Sequence, residues 1–461
     1  MRLRRPPPPR LTAATALAGD HAFCFNRGSS FAPALFQGIS ALFNSFFQGN
    51  ESCTYRTRPC GKLVYKSVPG GNVKDMKSNG VDVSTGASVE VSFDRVLTIV
   101  DHLIRPLSDG IFISPAWIDL QVNGFAGVDY NSPASTHEQI AHSLRAQFAT
   151  GVTRMFPTVI TGSPENMTAA LRNLASAKES IDEGPAMEAF HLEGPYISPD
   201  DGPRGAHPAR WVRPPDLSEF DRFQEAANGN IRLVTLSPEW PEASKFIEKI
   251  VEKGLVASIG HTSASTSQIA DAVSAGATLS THLGNGAHAV LPRHPNYLWE
   301  QLADDRLAAS FIVDGFHLPP SFLNVALRAK GLERSILVTD AVMPAGCPPG
   351  SYRLGEVDVE LHSDGSVRLA GATRLAGSAL RMDQAISNVM RTAGLSLRDA
   401  ITLATRNPAR VGRIGARQRG LNPGDRADLV RFRLDQGQLT ILETYLAGHR
   451  VFHHQPPATS P

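Results

Sequence analysis

"MEAFHLEGPYIS", residues 187–198, begins as an apolar run and ends in polar groups followed by a break. His191 and Glu193 fall on the same side of such a strand, because strand side chains alternate. A carboxylate at the end of a buried strand is costly unless it is paired or bound to a metal. Gly194-Pro195 then stops the strand and opens a loop. The stretch reads as a strand tip aimed at something polar.

The same grammar recurs on both sides of it. "AWIDLQVNG" from residue 116 and "VTRMFPT" from 152 come before. "IRLVTLSPE" from 231, "LVASIGH" from 255, "ATLSTH" from 277, "AASFIVDG" from 308 and "SILVTDA" from 335 come after. Helical patterns such as "PEASKFIEKIVEKG" and "TSQIADAVSAG" lie between them. Eight strand–helix units over residues 116–349 predict an α/β fold, a (β/α)8 barrel of the TIM type. A doubly wound sheet is the structural alternative, but it would place a ligand near one switch point rather than at nearly every strand end.

Outside the barrel the period changes to two. "ASVEVSFDRVLTIVDHLI" alternates before it, and "YRLGEVDVELHSDGSVRLAG" and "ADLVRFRLDQGQLTILETYLAGHRVF" alternate after it, the pattern of half-buried strands. The simplest packing is one small β-sandwich built from residues 80–115, 350–375 and 420–455, with residues 376–419 as barrel-closing helices. One of these helices opens with Ser396 and has Asp399 three residues on, the spacing of a capping box. Residues 1–79 read as a basic extension outside the fold, with a transit peptide as the alternative. They hold 11 Lys and Arg against 3 Asp and Glu, and the remainder holds 34 against 41. The acidic body argues against nucleic acid as a partner. No apolar run approaches the roughly 18 residues of a membrane span. Cys24, Cys53, Cys60 and Cys347 show no C-x-x-C spacing, which fits a reducing, cytoplasmic setting without a disulfide framework.

In a barrel of this type the reacting groups sit where strands end. The strand ends here carry Gln121 and Asn123, Glu193, His261, His282, His317 and Asp340. Each has a structural reading, as a hydrogen-bonded residue or a helix N-cap. Together they converge on one mouth. Glu193, His261 and His282 match a catalytic divalent metal, with three protein ligands and an open position that activates water and polarises a carbonyl. Asp340, ending an apolar strand, is placed to take a proton from that water and pass it to a leaving group. Zinc, iron, manganese or cobalt suits such a ligand set. His191 reads either as a supporting residue behind Glu193 or as packing.

The ordered set "PAWIDLQVNG", "HLEGPYIS", "VTLSPE", "IGHTSAS", "THLGNGA", "VDGFH", "LVTDA" and "LAGSAL" resembles the N-acetylglucosamine-6-phosphate deacetylases of the amidohydrolase superfamily, over residues 85 to 453. The resemblance implies hydrolysis of an N-acetyl group from an amino-sugar phosphate. It assigns Glu193, His261 and His282 to one metal ion and Asp340 to the general base. It gives His207 the polarisation of the acetyl carbonyl. It assigns substrate contacts to Asn285, Gly286, Arg293 (at the phosphate), Asp314, His317 and Leu375, Ala376 and Gly377, and it implies a homodimer whose partner shares in the grip. The chain departs from many superfamily members in having Gln121-x-Asn123 where they carry His-x-His, which points to one metal rather than two. It also has Asn285-Gly286 where Asn-Ala is usual in the family, with His288 and His294 in the same loop, and this bears on which sugar is accepted. Other readings are an enzyme for another N-acyl sugar such as N-acetylgalactosamine 6-phosphate, a cyclic amidase, or an inactive barrel serving as a scaffold.

Overall fold

A computed structural model describes residues 76–455 apart from 108, 356 and 416–419; the expectations for residues 1–75 lie outside the described residues. Eight strands form one parallel sheet in sequence order: Trp117–Val122, Val152–Ile160, Phe190–Glu193, Ile231–Leu236, Val256–Ile259, Ala277–Ser280, Ala308–Phe311 and Ser335–Leu337. A parallel bridge between Val122 and Ala341 joins the first strand to the last. The sheet thus rolls up into the expected barrel. These strands are buried on both faces, Trp117–Val122 along its whole length, because helices cover the outside and side chains fill the inside.

Several helices have a local reason to start where they do. Thr136 caps His137–Phe148 in a capping box with Gln139, Ser163 caps Pro164–Ser180 with Pro at its first position, and Ser265 with Gln268 repeats the box before Thr266–Ser274. Ser396 caps Leu397–Ala404 by accepting from the Asp399 N–H at 3.1 Å. The reciprocal half of the expected box is not made. The short Asp399 side chain takes the Ser396 hydroxyl instead, at 2.7 Å.

Both ends of the described chain build a seven-stranded sheet from residues 76–115 and 429–453, so strand structure begins at Met76, inside the segment expected to be an extension. Three strands separate Ser88–Phe93 from Gln438–Leu446 in hydrogen-bonding order, yet Phe93 and Tyr445 meet edge to face at 5.2 Å. The sheet is therefore folded over on itself around Val89, Val91, Ile113 and Leu429. It is tied to the barrel by the buried pair Arg154–Asp428, at 2.8 Å.

The strands of residues 350–369 do not join it. Gly350–Leu354, Val357–Leu361 and Val367–Leu369 form a separate three-stranded sheet, with an antiparallel bridge from Arg368 to Leu375. The reason is their own apolar face: Leu354, Val359, Leu361 and Val367 pack on Val342 and Ala376. Gly355 N–H donates to Asp129 Oδ2 at 2.9 Å. This small sheet overhangs the end of the barrel where the strands finish.

Candidate metal centre and active site

Glu193 ends the third barrel strand, and His261 and His282 stand two residues beyond the fifth and sixth. All three are buried. Glu193 Oε1 lies 2.9 Å from His282 Nε2 and 3.3 Å from His261 Nε2. One donor atom from each residue lies within 4.8 Å of the others. His261 Nδ1 is 2.8 Å from the Pro203 carbonyl. A carbonyl only accepts, so that nitrogen carries the proton, and Nε2 is the ring nitrogen turned toward Glu193 and left to ligate. The three residues therefore fit a divalent metal, and the fixed tautomer of His261 is the support that imidazole ligands use. Burial alone would raise the Glu193 carboxyl, but its contacts with the two imidazoles outweigh this and hold it well below the usual carboxylate range.

Backbone strain marks the same positions. His261, His282 and Asp340 have φ of +49°, +30° and +49°. Non-glycine residues hold this left-handed region at a cost of about 1–3 kcal/mol each, mostly at functional sites. Gly194 answers a related need directly after Glu193. With φ +81°, a Cβ there would lie 2.2 Å from Thr161 Oγ1. That hydroxyl stands 2.8 Å from His207 Nδ1.

Asp340 faces the metal group from the last strand. Gln121 Nε2 and Asn123 Nδ2, from the first strand, both donate to its Oδ1, at 3.1 and 2.7 Å. Gln121 Nε2 also donates to Glu193 Oε1, at 2.8 Å. The residues standing in place of a His-x-His pair thus act as amide donors linking Glu193 to Asp340. With Oδ1 doubly held, Oδ2 is the oxygen left for proton transfer. Burial, and then the Glu193 charge, push the Asp340 carboxyl up to about 6. Beneath it Asp119 is buried, takes the Thr339 hydroxyl at 2.5 Å and the N–H groups of Thr339 and Gln121 at 3.2 Å, and is pushed up to about 7 by burial.

A cavity of about 970 Å³ opens over these groups. Its wall includes Glu193, His207, His261, His282, Asn285, Gly286, His317, Asp340 and Leu375, Ala376 and Gly377. The His207 ring lies 4.5 Å from that of His261, and burial, then the neighbouring His261, lowers its pKa to about 3, so it stays neutral. Asn285 Nδ2 donates back to the His282 carbonyl at 3.2 Å. Asp314 stands behind the wall and orients His317 through a 2.6 Å contact with Nδ1. His191 is wholly buried below the site, 2.7 Å from Thr235 Oγ1, and burial lowers it to about 4. Arg293 is exposed and outside the wall of this chain's cavity. Its loop is held by Asn296, which caps the helix Tyr297–Ala303 and donates to the Pro292 carbonyl at 2.9 Å. His294 is exposed as well, and His288 packs on the Tyr297 hydroxyl, at 3.0 Å. The sequence reading missed Thr161, Asp119, Arg353 and Arg374. Asp119 carried a signal, as an acid in the middle of an apolar strand; the other three look like ordinary loop or strand residues.

The Amidohydrolase family model matches residues 112–451. The N-acetylglucosamine-6-phosphate deacetylase of Bacillus subtilis (strain 168) is 31% identical over 80% of this chain and 92% of its own length. The N-acetylgalactosamine-6-phosphate deacetylase of Escherichia coli O157:H7 is 32% identical over 77% of this chain and 94% of its own. Among solved structures, the N-acetyl-D-glucosamine-6-phosphate deacetylase of Mycobacterium smegmatis, in complex with N-acetyl-D-glucosamine-6-phosphate, matches with a TM-score of 0.74 at 29% identity, covering 82% of this chain and 99% of that one. The chain belongs to the amidohydrolase family and, within it, to the N-acetylglucosamine-6-phosphate deacetylases.

Proposed function

We propose that this chain hydrolyses the N-acetyl group of N-acetylglucosamine 6-phosphate to glucosamine 6-phosphate and acetate. The observation that carries the reading is the metal-fitting group Glu193, His261 and His282 set beside Asp340 at the floor of a large cavity. Glu193, His261 and His282 would hold a divalent cation, zinc in our reading, which would supply polarisation of the acetyl carbonyl and activation of water at neutral pH. Asp340 takes a proton from the attacking water as the C–O bond forms. It then gives that proton to the amine nitrogen as the C–N bond breaks. Gln121 and Asn123 hold its other oxygen so that this transfer has one geometry. With the Thr161 hydroxyl donating to Nδ1, neutral His207 keeps its proton on Nε2 and donates it as a hydrogen bond to the acetyl oxygen, where negative charge develops. Asn285, Gly286, His317 and Leu375 to Gly377 contact the sugar. Arg293 contributes across a homodimer, Asp314 acts through His317, and the setting is the cytoplasm. Among the described residues no helix is long and apolar enough to cross a membrane.

The test is release of free amine by the metal-loaded protein from N-acetylglucosamine 6-phosphate, N-acetylgalactosamine 6-phosphate and both unphosphorylated sugars. Turnover of the glucosamine phosphate, abolished in Asp340→Asn, is the expected result. Preference for the galacto sugar would move the substrate, not the chemistry, and would direct attention to Gly286. Absence of turnover with metal bound would overturn the reading. Light scattering checks the dimer.

A further inference from the structure

We infer that Arg374 grips the phosphate of the substrate from within the same chain, exchanging its carboxylate partner Asp201 for the phosphate. The inference rests on the reading of the substrate as an amino-sugar phosphate. A phosphate dianion leaving water needs charge-assisted donors, and an arginine fork supplies two at once. Among the described residues of the cavity wall, the permanently cationic side chains are Arg353 and Arg374, both from the segment that overhangs the barrel mouth. Arg293, by contrast, lies outside that wall. Arg353 is directed along its own hairpin, with Nε donating to the Gly355 carbonyl at 3.3 Å.

Arg374 is differently placed. Its Nη1 and Nη2 reach Asp201 Oδ1 and Oδ2 at 3.2 and 3.3 Å, a two-pronged grip of the shape a phosphate takes. Both contacts are long for charged hydrogen bonds. Both side chains are largely exposed, 45% for Arg374 and 68% for Asp201, so the pair contributes little to stability. Asp201 is not stranded when Arg374 leaves, because Arg204 Nη2 also holds Oδ1, at 3.1 Å. The fork is thus oriented by a partner that a phosphate can displace.

The test uses equilibrium binding of glucosamine 6-phosphate and of glucosamine to the full zinc-loaded chain, by calorimetry, in the parent, Arg374→Ala, Arg374→Lys and Asp201→Asn. The parent should bind the phosphorylated sugar more tightly. Arg374→Ala should weaken that sugar on the order of 10- to 100-fold and leave glucosamine unchanged, which also shows that the variant is folded. Arg374→Lys should recover part of the loss, and Asp201→Asn should bind the phosphorylated sugar as well as the parent or better. A phosphate preference undiminished in Arg374→Ala, or absent in the parent, overturns the inference. So does an Asp201→Asn variant as weak as Arg374→Ala, since the pair would then only hold two loops together. The readout needs no turnover: a chain that fails to deacetylate but loses its phosphate preference in Arg374→Ala keeps this assignment and loses the proposed activity.

Discussion

Asp340 stands where three demands meet: a strained backbone, two amide donors on one oxygen, and a buried anion nearby. Replacing it with Asn keeps the shape and removes the base, so kcat should fall by about 10² to 10⁴ while the metal content stays at the parent level. Only the ionised carboxylate can accept a proton. Its pKa is raised to about 6 by burial and by Glu193, and a cation beside it pulls that value down. The expected profile of kcat/KM is therefore a fall as pH drops through about 6 or somewhat below, an acid limb that Asp340→Asn lacks. The metal group and Asp340 were legible in the sequence because each ends an apolar run. Thr161 and Arg374 were not. Their importance comes from partners distant in the chain, His207 and Asp201, which no local pattern announces.

At the level of elements, the eight parallel strands could be read directly, since burial on both faces leaves short, nearly continuous apolar runs between turn signals. The place of the strands at 350–369 could not. Alternation tells that one face is covered, not by what, and here Val342 and Ala376 cover it rather than the terminal sheet. The tie between the first and last barrel strands has a measurable signature. Asp119 is buried and its carboxyl is pushed up to about 7. A group with a raised folded pKa stabilises fully below its unfolded value, near 4, and loses that stabilisation as pH rises through the folded one. The thermal midpoint should decline across this window. Asp119→Asn should flatten the decline, and no flattening would mean that Asp119 is not the titrating group.

For the whole molecule, the terminal sheet, the barrel and the wall of the cavity lie within residues 76–455. A chain starting at Met76 should fold and keep its activity, and its loss would mean that earlier residues belong to the working structure. Chelation should abolish turnover and lower the thermal midpoint, because the metal binds only the assembled donors; zinc should restore both. The barrel closes where Val122 meets Ala341, and that closure also sets Gln121 and Asn123 against Asp340, 219 and 217 residues away along the chain. The reaction centre therefore reports on closure: a chain ending before Ser335 carries Glu193, His261 and His282 but lacks Asp340. If this seam parts before the rest of the barrel, turnover should be lost on heating while the helices and strands remain, checked by following activity and circular dichroism through one thermal scan.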